Sequence, residues 1–358
     1  MPLLLEGLRM FGRAAGVRIL GFHKYAGGAK QICEQIVNEC WNGKYFQASA
    51  GHFAEFWTRD FGWCVDSLLK LGYRKEVLKT LAYALEKFSS AGGISTTISP
   101  SGKPFNFPCF SPDSIPFLMH ALNAANAKSL VKKHKTFLQA QAKLYESRVI
   151  DSETGLVCDK KFSSMKDGFY RHCSCYDTCM VGMLAKELRN AGIRHTLPDA
   201  KKILMKHYWN GSYFLDDLSG KDYVAGDAQV FPFWTGVITD KKIMRKAFVS
   251  LQEAGLDHPF PLKYTSFRMG ADVFAQKLFA RNYEGNTIWA HMGLLYIQLL
   301  SQIDKSRARE DIHAYKNLVE KYKTFLEVYS PDGRKPYKTL FYACDEGMLW
   351  AANLLTML

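Results

Sequence analysis

No run of about eighteen apolar residues occurs in the 358-residue sequence. Because about 30 Å of hydrocarbon needs roughly twenty such residues, a bilayer-spanning helix is excluded. Basic residues never run to five in a row. The formal charge of +13 is scattered in pairs such as Lys132-Lys133 and Lys201-Lys202, a solvated surface rather than a nucleic-acid site. There is no pair of C-x2-C motifs, no GxGxxG, no Walker loop and no His-x-x-x-His, so neither metal nor cofactor is expected. The nine cysteines, an odd number, fit free thiols in a reducing cytoplasm. Residues 1–28 lack the compact apolar core of a secretory signal, since Glu6, Arg9, Arg13 and Arg18 interrupt them, and are expected to form an arm or an extra helix. No Pro/Ser-rich linker or break in composition follows, which favours a single domain over 29–358.

What is present is a large supply of core residues, 47% apolar and 14% aromatic, arranged with a helical period almost throughout. Ile32, Ile36, Val37 and Cys40 share one face, as do Phe61, Cys64, Val65 and Leu68, and later Ile288, Met292, Leu295 and Leu299. The pattern predicts an all-α chain of about twelve helices after the arm. Long loops, at about 46–60, 92–113, 149–174, 213–229, 257–285 and 327–345, recur after every second helix. That spacing is expected if helical hairpins repeat and one end of the array carries the elaborated loops.

Two loops carry the most chemistry. In the first, aromatic residues alternate with Glu55, Arg59 and Asp60 around Trp57, a mixture suited to a sugar: rings stack on C–H faces while charged groups take hydroxyls. The alternative is that Asp60 merely caps a helix. In the last, Glu327 is expected at the end of a helix, where the helix dipole disfavours an anion unless it has a task.

Trp57-Thr58-Arg59-Asp60, Tyr283-Glu284-Gly285-Asn286-Thr287-Ile288-Trp289 and the turn from Glu327 to Gly333, in that order, resemble motifs of the six-hairpin, (α/α)6-barrel glycosidases. These include glucoamylase-like hydrolases and the glucosidase domain of glycogen-debranching enzymes. The resemblance implies an (α/α)6 toroid and assigns Trp57, Arg59 and Asp60 to the terminal sugar, with Tyr283, Trp289 and Asp227 as further contacts. It makes Glu327 the general base. The general acid must be an aspartate, because no glutamate lies between Glu153 and Glu187. Ser163-Ser164-Met165-Lys166-Asp167 resembles the acid-bearing segment of debranching glucosidases, which points to Asp167 ahead of Asp159 and Asp177.

The implied activity is inverting, exo-acting hydrolysis that releases a terminal, glucosyl residue from a small or linear saccharide. A phosphorylase on the same scaffold and a non-catalytic carbohydrate-binding barrel are the alternatives. Apolar neighbours Phe162, Met165 and Phe169 are expected to keep Asp167 protonated, and solvent to keep Glu327 ionised. His52, His172 and His291 are expected to be hydrogen-bonded structural residues.

Overall fold

The computed structural model describes residues 2–272, 274–340 and 342–358. In chain order its helices are α1 (Pro2–Leu20), α2 (Ala29–Cys40), α3 (Thr58–Lys70), α4 (Arg74–Ala91), α5 (Ser114–Ala124), α6 (Lys128–Lys133), α7 (Lys135–Val149) and α8 (Cys175–Asn190). They continue with α9 (Ala200–Ile203), which runs into a π-helical turn at Leu204–Tyr208, then α10 (Gly226–Trp234), α11 (Lys241–Glu253), α12 (Phe274–Phe279), α13 (Ala290–Leu300), α14 (Lys305–Tyr322) and α15 (Ala351–Leu355). None of these helices is long and apolar enough to cross a membrane.

Burial sorts them into two rings. Helices α3, α5, α8, α10, α13 and α15 are buried on most sides, as the near-continuous apolar runs Ala290–Leu300 and Gly226–Phe233 require. Helices α2, α4, α7, α9, α11 and α14 bury a single stripe, for example Ile32, Cys33, Ile36, Val37 and Cys40 in α2. Around the inner ring α3 meets α5, α5 meets α8, α8 meets α10, α10 meets α13, and α15 returns to α3. Trp350, the residue before α15, lies 4.7 Å from the ring of His291 in α13, which closes the circle. Six inner and six outer helices among the described residues make the (α/α)6 toroid that the family resemblance implies, with α1, α6 and α12 as additions.

Close packing within the inner ring depends on Gly62. A Cβ there would fall 2.6 Å from Cβ of Phe117 in α5, so α3 and α5 approach where only glycine fits. Gly62→Ala is therefore expected to cost about 1–3 kcal/mol by overpacking, measured as a lower urea midpoint with an unchanged slope.

Each long loop (41–57, 92–113, 150–174, 209–225, 254–289, 323–350) joins the end of an outer helix to the start of an inner one. All six therefore gather at one end of the toroid. Two-residue strands tie them together. Phe56–Trp57 (β1) pairs with Thr97–Ile98 (β2), and that with Pro104–Phe105 (β3), which binds the first loop to the second. Ile288–Trp289 (β4) pairs with Val328–Tyr329 (β5), which binds the fifth loop to the sixth.

Helix α1 packs against the same end. Ala14 and Met10 are buried, and Arg13 Nη2 meets the carboxylate of fully buried Glu55 at 2.5 Å.

Candidate active site

A cavity of about 260 Å³ opens among the loops, lined by Trp57, Arg59, Asp60, Asp167, Tyr283, Trp289 and Glu327. Seven of the eight site residues expected from the sequence thus face one space, although they come from four different loops and helix starts. The exception is Asp227.

Asp60 is the third residue of α3, whose cap position is Trp57, so it does not cap the helix. Its Oδ1 accepts a hydrogen bond from Trp350 Nε1 at 3.0 Å. Burial pushes its carboxyl up to about 7, against the opposing pull of Arg59. Arg59 Nε binds Asp113 Oδ2 at 2.5 Å, and its Nη2 stands 3.6 Å from Asp167 Oδ1.

Asp167 has a side chain 28% exposed, open toward the cavity. Burial raises its pKa, as does nearby Asp113; Arg59 and the hydroxyl of Ser163, 2.7 Å from Oδ1, work the other way. Neither rival aspartate lines the cavity. Asp159 is half exposed and bonded to His172 and Tyr170, and Asp177 takes hydroxyls from Ser164 and Ser174 at the start of α8.

Lys166 and Asp227 explain each other. Lys166 is fully buried, its Nζ 2.8 Å from Asp216 and 3.4 Å from Asp227, while Arg171 Nη1 meets Asp227 at 2.8 Å and Asp216 at 3.2 Å. Two cations and two carboxylates form a buried cluster that fixes the third loop to the fourth loop and to α10. Asp227 is therefore a structural ion partner rather than a sugar contact at the cavity, a correction to the expectation from sequence. The lysine beside Asp167 is an anchor for the loop that carries Asp167.

Glu327 also departs from expectation. Helix α14 ends at Tyr322, so Glu327 lies beyond the last turn in which a dipole acts. Nor does solvent surround it, as it is only 3% exposed. Oε1 accepts the hydroxyl of Tyr283 at 2.5 Å, and Oε2 accepts the main-chain N–H of Asp345 at 2.9 Å and the hydroxyl of Tyr342 at 3.5 Å. Burial nevertheless pushes its carboxyl up to about 8, helped by Asp345 and opposed by those hydrogen bonds. The β4–β5 pairing holds it in place, with the N–H of Ala290 on its carbonyl at 3.1 Å.

Three further residues complete the site. Glu284 accepts the main-chain N–H groups of Asp167 and Gly168, at 2.9 and 2.8 Å, one on each oxygen. Burial first and then Asp167 push it up to about 7. Gly168 leaves room for the side chains of Gln276 and Glu284, since a Cβ would fall 2.6 Å from Gln276 Cδ and 2.8 Å from Glu284 Oε2. Asp345, fully buried, takes the N–H groups of His52 and Phe53 and so ties the first loop to the sixth. His291 differs from the hydrogen-bonded residue expected. It is stacked on Trp63 at 4.3 Å, burial holds its pKa well below the usual value, and neither ring nitrogen has a partner among the described residues. Trp57 Nε1 and Trp63 Nε1 are likewise buried without partners. All three residues line the cavity.

His52 Nδ1 stands 3.1 Å from Asp345, whereas His172 is half exposed at the surface. The cysteines around His172 form no set of three or more His, Cys, Asp or Glu side chains, among the described residues, that could hold a metal ion.

The sequence matches no family model and no curated protein. In structure the chain is similar to a GH63 mannosylglycerate hydrolase from Thermus thermophilus in complex with glucose, with TM-score 0.64 and 11% identity over 93% of this chain and 100% of that one. It is also similar to a rhamnosidase from Klebsiella oxytoca with rhamnose bound, with TM-score 0.63 and 12% identity over 93% of this chain. The match covers 65% of the rhamnosidase, just under two thirds of its length. A third neighbour is a glycosidase in complex with glucose, at TM-score 0.61 and 12% identity, covering 91% of this chain and 94% of that one. The chain has the (α/α)6 fold of these glycosidases. At such identity the likeness speaks to the fold, and the chemistry rests on the cavity.

Proposed function

We propose that the chain is a glycoside hydrolase that releases a terminal sugar with inversion, Asp167 acting as general acid and Glu327 as general base. The observation that carries this reading is the pairing of two carboxyls, both with raised pKa, from the third and sixth of six loops, in one cavity rich in aromatic rings and unpartnered buried N–H groups. Loops half a ring apart supply groups to opposite sides of a sugar, the arrangement an inverting reaction uses, in which the carboxyls stand roughly 6.5–9.5 Å apart.

Hydrolysis breaks the bond between the anomeric carbon and the leaving oxygen. Asp167 gives its proton to that oxygen. Glu327 takes a proton from the water whose oxygen bonds to the anomeric carbon from the other face. Glu284 bears on these protons: it and Asp167 repel when both are ionised, so the pair retains a proton. A raised pKa also suits Glu327, because a general base is strongest when its conjugate acid titrates near the working pH. The terminal sugar rests on Trp57 and Trp289. Asp60, Arg59 and the free nitrogens of His291 and Trp63 take its hydroxyls, and those nitrogens then lose the penalty of burial without a partner. Glucose and rhamnose in the structural neighbours support a neutral sugar at this position.

A panel of alkyl glycosides and disaccharides of glucose and rhamnose, in both anomers and with or without inorganic phosphate, tests the proposal. Release of free sugar independent of phosphate is expected. A sugar phosphate formed only when phosphate is added would make the chain a phosphorylase, and release from no substrate would leave a binding barrel.

A further inference from the structure

The cavity has two chemically different ends. Many of its polar side chains gather around the three carboxyls Asp60, Asp167 and Glu327. Arg59 reaches Asp167, Tyr283 and Tyr342 bond Glu327, and Trp350 bonds Asp60. Glu284 holds the main chain of Asp167, with Gln276 at its carboxyl. Among its apolar lining residues are Gly7, Met10, Phe53, Phe107, Pro108 and Ala280.

The part of this lining formed by Phe107, Pro108 and Gly7 lies on the side of the acid, whereas Phe53 and Ala280 adjoin the partners of Glu327. Ser163 Oγ, which donates to Asp167 Oδ1 at 2.7 Å, stands 3.3 Å from the carbonyl of Phe107. Phe107 meets Trp57 edge-on at 6.0 Å, and a Cβ on Gly7 would lie 4.0 Å from the Phe107 ring. Helix α1 therefore lays Gly7 beside Phe107 and brings Met10, three residues on, into the lining of the same cavity, and the Arg13–Glu55 ion pair secures the helix there. The group that protonates the leaving oxygen must face the leaving group, so the leaving group occupies the apolar end.

We infer, resting on the glycosidase reading above, that the substrate is a glycoside whose leaving group is apolar, an alkyl or similar hydrophobic alcohol rather than a second sugar, and that α1 builds the subsite for it. A second sugar would bring several hydroxyls against Met10, Phe107 and Pro108, which offer no side-chain partner, and burial of unpaired hydroxyls is unfavourable. An alkyl chain brings none and gains by leaving water.

Methyl and octyl glycosides of the sugar identified by the panel above test the inference. Their leaving alcohols are of similar acidity, so the chemical step is held constant while apolar length changes. The expected result is a kcat/KM at least tenfold higher for the octyl than for the methyl glycoside, and higher than for the corresponding disaccharide. Met10→Gln and, independently, Phe107→Asn should reduce the octyl-to-methyl ratio about tenfold in variants whose circular dichroism matches the parent. Faster cleavage of the disaccharide than of the octyl glycoside, or a ratio unmoved by both substitutions, would overturn the apolar subsite and leave the hydrolase reading intact. Cleavage of no glycoside at all would remove both.

Discussion

Glu327→Gln is expected to lower kcat by roughly two to four orders of magnitude, the usual contribution of a general base, and at the same time to make the protein more stable in alkaline solution. The two effects have one cause. The folded protein holds the Glu327 proton up to about pH 8, whereas an unfolded glutamate releases it near 4.3. Proton binding by this group therefore favours folding fully below the unfolded value, and that contribution is lost as pH rises through about 8. Glutamine cannot ionise. The melting temperature of Glu327→Gln should exceed that of the parent by a margin that widens between pH 5 and pH 8. The parent's kcat/KM should in turn fall as pH drops below about 8, with apparent values that belong to the Glu284, Asp167 and Glu327 set as a whole. A profile centred near the ordinary carboxylate range, with no stability difference at pH 8, would show that Glu327 is not the buried base described.

Asp167→Asn is expected to cost a similar factor on substrates with a poor leaving group, and here the substrate separates acid from base. A glycosyl fluoride departs with little need of protonation, so Asp167→Asn should recover most of its turnover on the fluoride, whereas Glu327→Gln should be slow on both substrates. Asp159→Asn should behave as the parent throughout, because Asp159 is half exposed and does not line the cavity. Equal losses for Asp167→Asn on the fluoride and on the poor leaving group would remove it from the acid role.

Much of the toroid was legible because its signals are local. The period of Ile32, Ile36, Val37 and Cys40 marks an outer helix, the nearly continuous apolar run at Ala290–Leu300 marks an inner one, and six long gaps between them mark the loop end. The site was legible where a short motif carries several of its members, as in Trp57 to Asp60 or Tyr283 to Trp289. It was not legible where a residue acts on a distant stretch of chain. Glu284 stands inside a recognised motif, yet its partners are the main-chain amides of Asp167 and Gly168, more than a hundred residues earlier. Asp345 binds the loop at His52 and Phe53 across nearly the whole sequence. The same limit explains Asp227. A carboxylate at the start of an inner helix looks like a sugar ligand until Lys166 and Arg171, brought from another loop, neutralise it. Burial was the hardest property to foresee, and it reverses the electrostatic expectation at Glu327 while leaving its place in the cavity as expected.

The anomer released in the first minutes of hydrolysis tests the account most directly. Asp167 and Glu327 come from loops half a ring apart, and a water between Glu327 and the sugar must attack the face opposite the departing oxygen. Proton NMR recorded before mutarotation mixes the products should show the anomer opposite to that of the substrate. The same anomer as the substrate would mean a covalent intermediate on a nearby carboxyl, and would contradict the roles assigned to both residues.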